Sequence, residues 1–251
     1  MIRAISSEWI KLRTVLSHKV LVVIAVVFPV VVGLLVASFG DMEGGPSSSA
    51  EMAEFVTGMM VVSTMLLGVV AVIGLTSEFT HNTLRPTYAA TPKRARVLAA
   101  KVLVSTAVTA VIAILVALGC WFVTATIFNS RGGDVSITGD RVAAMLSSAV
   151  VLAVVVTWFG FGLGLIIRNS PATVSILLLW PLLIETLLIV VINLIGWDSL
   201  DQYMPYQGAI IAGGVSPDDS SLGRPGAHLY FAAIALALIA IGVLLDERRD
   251  A

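Results

Sequence analysis

Charge is scarce in this sequence. Only 12% of its 251 residues are Asp, Glu, Lys or Arg, about half of what a soluble domain carries, which excludes a globule surrounded by water. Cysteine is nearly absent too. Cys120 stands alone, so no disulfide closes within the chain, and a lone thiol in an apolar run packs as a small hydrophobe. Segments of about ten residues with alternating polarity are missing, which argues against a transmembrane barrel. No G-x-x-x-x-G-K-[ST] stretch occurs, so there is no phosphate-cradling loop and no motor within the chain. The three histidines, His18, His81 and His228, show no metal-ligand spacing, and we read them as solvated residues near membrane boundaries. No metal site is expected, and no nucleic-acid partner.

What fills the chain instead is apolar. Hydrophobic residues make up 58% of it, and the mean hydropathy is +0.99. Six uncharged or nearly uncharged runs approach or exceed the roughly 20 residues that a spanning helix needs. They fall at about 20–39, 55–75, 102–128, 142–167, 173–195 and 227–245. The expected fold is all-α, a single polytopic membrane domain over 1–251. Pro29 and Pro181 lie inside spans, where neighbouring helices can cover the backbone bonds that proline breaks. Gly160, Gly162 and Gly164 in "WFGFGLGL" suit close helix contact. Asn169 and Pro171, in the short link between the fourth and fifth spans, are turn and helix-start residues.

The charges are sorted by side. Twelve Lys and Arg residues fall on the side of the termini, and three, Arg131, Arg141 and Arg224, on the other. The positive-inside rule then makes both termini cytoplasmic, and a bacterial inner membrane is the expected location. In "MIRAISSEWIKLRTVLSHK", Ile2, Ile5, Trp9, Leu12 and Leu16 recur at helical spacing. Residues 2–18 therefore read as an amphipathic helix lying in the interface, with Trp9 and Leu12 on its apolar face and Lys11 among the basic groups near anionic lipid headgroups.

The loop at 76–101 is longer than a plain reversal needs. Thr76 and Ser77 can cap a short helix with Glu78 near its positive end. Arg85 before Pro86 would end it, and Thr91-Pro92 would start the helix that runs through Lys101 into the third span. Such a knob, exposed on the cytoplasmic side, is suited to docking.

Six spans, the interfacial helix, and the pattern Glu78, Phe79, Thr83, Leu84, Arg85, then Thr91, Pro92, Arg94 and Lys101 resemble the permeases of ABC-2 type transporters. That resemblance implies a type V exporter-like architecture. It implies a coupling helix at Glu78 to Leu84, with Arg85 beside it, seated in a separate ATPase subunit that binds ATP and Mg, and a connecting helix at Ile2 to Ser17. It also implies a working unit of two permease copies, identical or related, with two ATPases, and a re-entrant hairpin in the external region 196–226, matched by "YMPYQGAIIAGGV". The expected activity is export of a hydrophobic or amphiphilic substrate such as a drug, lipid, peptide or natural product, the permease itself not being an enzyme. The alternative is a motor-independent secondary transporter or channel.

One acidic residue, Glu185, lies inside a span. An ionised carboxylate costs several kcal/mol at that depth, so it either stays neutral, hydrogen-bonded to a neighbouring helix, or faces a partner or a wet path. Asn193, two turns on, falls roughly on the same side, and the pair is the candidate substrate pathway.

Overall fold

The computed structural model describes residues 2–39, 49–84, 94–135, 140–197, 200, 203–214 and 223–249. Among these there is no strand. The helices are α1 (Ile2–Thr14), α2 (Leu16–Phe39), α3 (Ser49–Thr80), α4 (Arg94–Ser130), α5 (Asp140–Ile167) and α6 (Ser170–Leu179). A π-helical segment, Trp180–Glu185, links α6 to α7 (Thr186–Ile195), and α8 (Pro205–Gly214) and α9 (Gly223–Arg249) complete the chain. Six of these stretches are long and apolar enough to cross a membrane. The chain is an all-α polytopic membrane protein, and an even number of spans returns it to the side on which it began.

Spans two and four, on α3 and α5, form the centre and bury most of their apolar length, while the other four fully bury less than a third of theirs. Helix α5 packs along both α3 and α9. Glycine makes these approaches possible at two points. A Cβ at Gly162 would lie 2.7 Å from the Leu238 Cβ and 2.9 Å from the Ile239 backbone nitrogen, and one at Gly160 would lie 2.9 Å from Val72 Cγ2. The close contact read from "WFGFGLGL" is thus a three-helix contact, α9 on one side of α5 and α3 on the other.

The mid-span proline of α2 is accommodated as a low-dielectric solvent demands. Pro29 leaves the Ala25 carbonyl without its helical donor, and the Ser63 hydroxyl of α3 donates to it. Pro181 opens the π-helical segment, where the Thr186 hydroxyl donates to the Pro181 carbonyl at 3.4 Å. Asn169 caps α6 by accepting from the Ala172 N–H at 3.0 Å, with Pro171 in the first turn.

Two local expectations change. No new helix starts at Thr76. Helix α3 runs unbroken to Thr80, and the Thr76 hydroxyl donates back to the Val72 carbonyl at 2.8 Å. The span's own helix already satisfies that backbone, so a cap has nothing to do there. His18 and His228 are not solvated but buried, at 4% and 7% exposure. The His18 ring packs 3.6 Å from where a Cβ on Gly74 would sit, a space that glycine leaves open.

Candidate functional site

Helix α3 ends in a Schellman closure. Asn82 takes the left-handed conformation (φ 55°), the Asn82 N–H donates to the Phe79 carbonyl at 3.3 Å, and the Thr83 N–H donates to the Glu78 carbonyl at 3.0 Å. Asn tolerates that φ where most residues do not. Thr80, His81, Asn82 and Thr83 form an exposed tip, and Leu84 turns back and is buried at 4% exposure. Arg85, Thr91 and Pro92 lie outside the described residues.

Just below this tip, adjacent residues reach into different clusters. Glu78 joins an ionic group drawn from three helices. The Lys101 ammonium of α4 donates to Glu78 Oε1 at 2.5 Å and to Glu8 Oε2 at 2.7 Å. Lys11 of α1 donates to Glu78 Oε1 and to Glu8 Oε1, both at 2.8 Å. The Lys101 side chain is only 3% exposed and that of Glu78 8%. Two acids and two bases cancel in charge, which is what allows Glu78 and Lys101 to be buried while Glu8 and Lys11 stay partly exposed beside them. Burial works against the charged form of Lys11, but its hydrogen bonds to Glu78 and Glu8, reinforced by their charges, hold its pKa above the ordinary lysine value. Behind the group lies a cavity of about 30 Å³, lined in part by His18, Lys101, Ser105 and Phe161.

Phe79 turns the other way. The Arg168 guanidinium sits 4.9 Å from its ring centroid, within the range of a cation–π contact. Arg168 itself adopts φ 56° at the α5–α6 link, and its Nη2 donates to Asp246 Oδ1 of α9 at 2.5 Å. Beside it the Thr76 and Ser170 hydroxyls are 2.5 Å apart. Glu78 and Phe79 therefore tie the end of α3 to α1 and α4 through one contact set, and to the α5–α6 link and α9 through the other.

The sequence placed Lys11 among groups facing lipid headgroups, and the structure corrects this. Lys11 and Glu8 face the bundle, because Glu78 and Lys101 offer opposite charges there. Trp9, at 47% exposure, faces outward. The backbone of Leu12 lies on α1, and its side chain is outside the described residues. Glu8, Arg168 and Asp246 were missed as partners. Their signal was that charges are so few that those close to apolar runs need opposite charges nearby.

The second candidate group lies in span five. Glu185 is wholly buried and accepts from the Trp180 indole N–H at 2.8 Å, from the Tyr206 N–H at 3.1 and 3.2 Å to its two oxygens, and from the Gln207 N–H at 2.8 Å. Asn193 is exposed on α7. The structure brings Glu185 to α8 and does not bring Asn193 to it.

The sequence profile of ABC-2 family transporter proteins matches residues 4–180, from α1 to the start of the π-helical segment. The chain belongs to this family. It is a membrane permease of an ABC transporter, and that membership implies an ATPase partner. No curated protein sequence matches the chain, and no solved structure does. In this ABC-2 permease the matched region contains most of α1, the tip of α3 and the whole ionic group.

Proposed function

We propose that the chain is the membrane subunit of an exporter for hydrophobic or amphiphilic substrates, and that a separate ATPase docks on the tip at Thr80–Thr83. The observation that carries this is the tip itself, an exposed, closed helix end whose two preceding residues are tied to α1 and α4 and, through Arg168 of the α5–α6 link, to α9. Force applied there would reach α1 and α4 through Glu78, and α9 through Phe79 and Arg168, which suits a rigid-body switch between arrangements of the spans. ATP and Mg would be bound by the ATPase, since this chain has no phosphate-cradling motif. Twelve Lys and Arg against three support a cytoplasmic placing of the termini and the tip, in a bacterial inner membrane. The working unit would be two permeases, identical or related, with two ATPases. Trp9, and Leu12 by its sequence pattern, would hold α1 in the lipid interface.

The test is co-purification of the permease with its ABC ATPase subunit. His81→Glu with Thr83→Glu places two charges on the exposed tip without touching Glu78 or the buried Leu84. The expected result is a permease at its normal level in the membrane that no longer retains the ATPase. Retention of the ATPase with undiminished transport would overturn the docking assignment.

A further inference from the structure

Helix α8 begins without a cap of its own. Met204 occupies the N-cap position, its carbonyl accepting from the Gly208 N–H at 2.8 Å, but a thioether is a poor acceptor. Pro205, next in line, has no N–H. The two remaining first-turn groups, the N–H of Tyr206 and of Gln207, both go to Glu185, 21 and 22 residues away on another helix. A carboxylate in front of a helix N-terminus also meets the positive end of its dipole. Every bond at Glu185 is one it accepts, the fourth coming from Trp180 on its own π-helical segment.

Few other polar contacts hold the start of α8. The Tyr206 hydroxyl is 3.5 Å from that of Thr64, at the limit of a hydrogen bond. The remaining contacts are apolar, Tyr206 meeting Phe231 edge-on at 6.1 Å, with Phe231 and Trp180 both against Phe159. Glu185 also sits on the part of span five least committed to regular helix. Pro181 contributes no N–H there, and a single π-helical turn inside an α-helix is frequently found at functional sites.

We propose that Glu185 is a positioning residue, a latch that holds α8 closed against span five at the side opposite the termini. Motion in the π-helical segment carries the carboxylate away from Tyr206 and Gln207 and lets α8 move, opening that mouth for substrate release. The opening role rests on the exporter reading above, whereas the latch itself is a property of this chain alone. On this view Gln is not a neutral replacement, because its one carbonyl oxygen cannot serve all three donors and its NH₂ would face an N–H.

The experiment reads the permease in intact cells, with Ala209→Cys as reporter. Ala209 is 1% exposed on α8, and the native Cys120 is fully buried, so background labelling is low. A membrane-impermeant maleimide is added from outside. Adding Glu185→Gln should raise the labelling rate about tenfold, the scale expected when a helix loses its capping acceptor. Trp180→Phe, which removes one donor and keeps an aromatic ring, should raise it less, and Asn193→Ala should leave it unchanged. A reporter at the buried Ala113 of α4 should label no faster in any variant. Parent rates in both Glu185→Gln and Trp180→Phe would overturn the latch, as would an equal rise at Ala113, which would mean general loosening. If Glu185→Gln does not reach the membrane, Trp180→Phe decides alone. ATPase co-purification is scored separately, so failure of the exporter reading and failure of the latch give different results.

Discussion

Glu78 at the end of α3 and Lys101 in α4 form a 2.5 Å ion pair that is almost entirely buried, though 23 residues of sequence separate them. Glu8 and Lys11, both from α1, complete the pair into a neutral group of four. A buried pair of this kind contributes little over apolar packing while both members are present, but removing one leaves an unbalanced buried charge.

Lys101→Met alone should therefore destabilise the permease by about 3–5 kcal/mol. Lys101→Met together with Glu78→Gln should recover a substantial part of that loss. Thermal unfolding in detergent checks both, and a double variant no better than the single one would mean that the pair is not coupled.

The pH dependence of the α1 attachment has a definite sign. The pKa of Lys11 is raised in the folded state, so its contribution is fully present below the ordinary value of 10.5 and is lost as pH rises through the folded value above it. The difference in unfolding midpoint between the parent and Lys11→Met should stay constant from about pH 6 to about pH 9, and shrink only in the alkaline range beyond 10.5. A difference that shrank between pH 6 and pH 9 would contradict the ion pairing of Lys11.

Gly162→Ala should cost about 1–3 kcal/mol, the range for overpacking, because the new Cβ would meet the backbone of α9 at Ile239. Gly164→Ala, whose nearest neighbours are side-chain carbons of Leu75 and Thr76 at 3.2 Å, should cost less. Unfolding midpoints of the two variants give the comparison.

Ser63→Ala removes the hydroxyl that serves the Ala25 carbonyl beside Pro29. Leaving that carbonyl without a donor should cost about 1–3 kcal/mol. Replacing Pro29 by Ala in the same chain restores the helical donor and should remove most of the loss, which thermal unfolding of the two variants would show.

The chain's spans, its two proline sites, the Asn169 cap and the crowded glycines of α5 were all legible in the sequence. Each is a local property: length of apolar run, a missing N–H, a missing Cβ. Helix α1 was legible as a helix, but not the direction in which its charged groups face. Its apolar stripe suggested that the basic groups look to lipid, whereas Lys11 looks inward because Glu78 lies there, 67 residues away. The expected break at Thr76 failed for a related reason. Thr is a capping type only where a helix has free N–H groups, and α3 simply continues.

Sequence alone thus determined that this is a six-span α-helical membrane protein with nearly all its charge kept outside the apolar runs, Glu185 excepted, because hydropathy and chain length act residue by residue and need no partner. Which charge meets which was decided by the tertiary structure. Lys101 finds Glu8 across 93 residues, and Glu185 finds the start of α8, because a polar group in a low-dielectric interior must be matched by whatever group the packing brings to it, and packing is a property of the assembled helices.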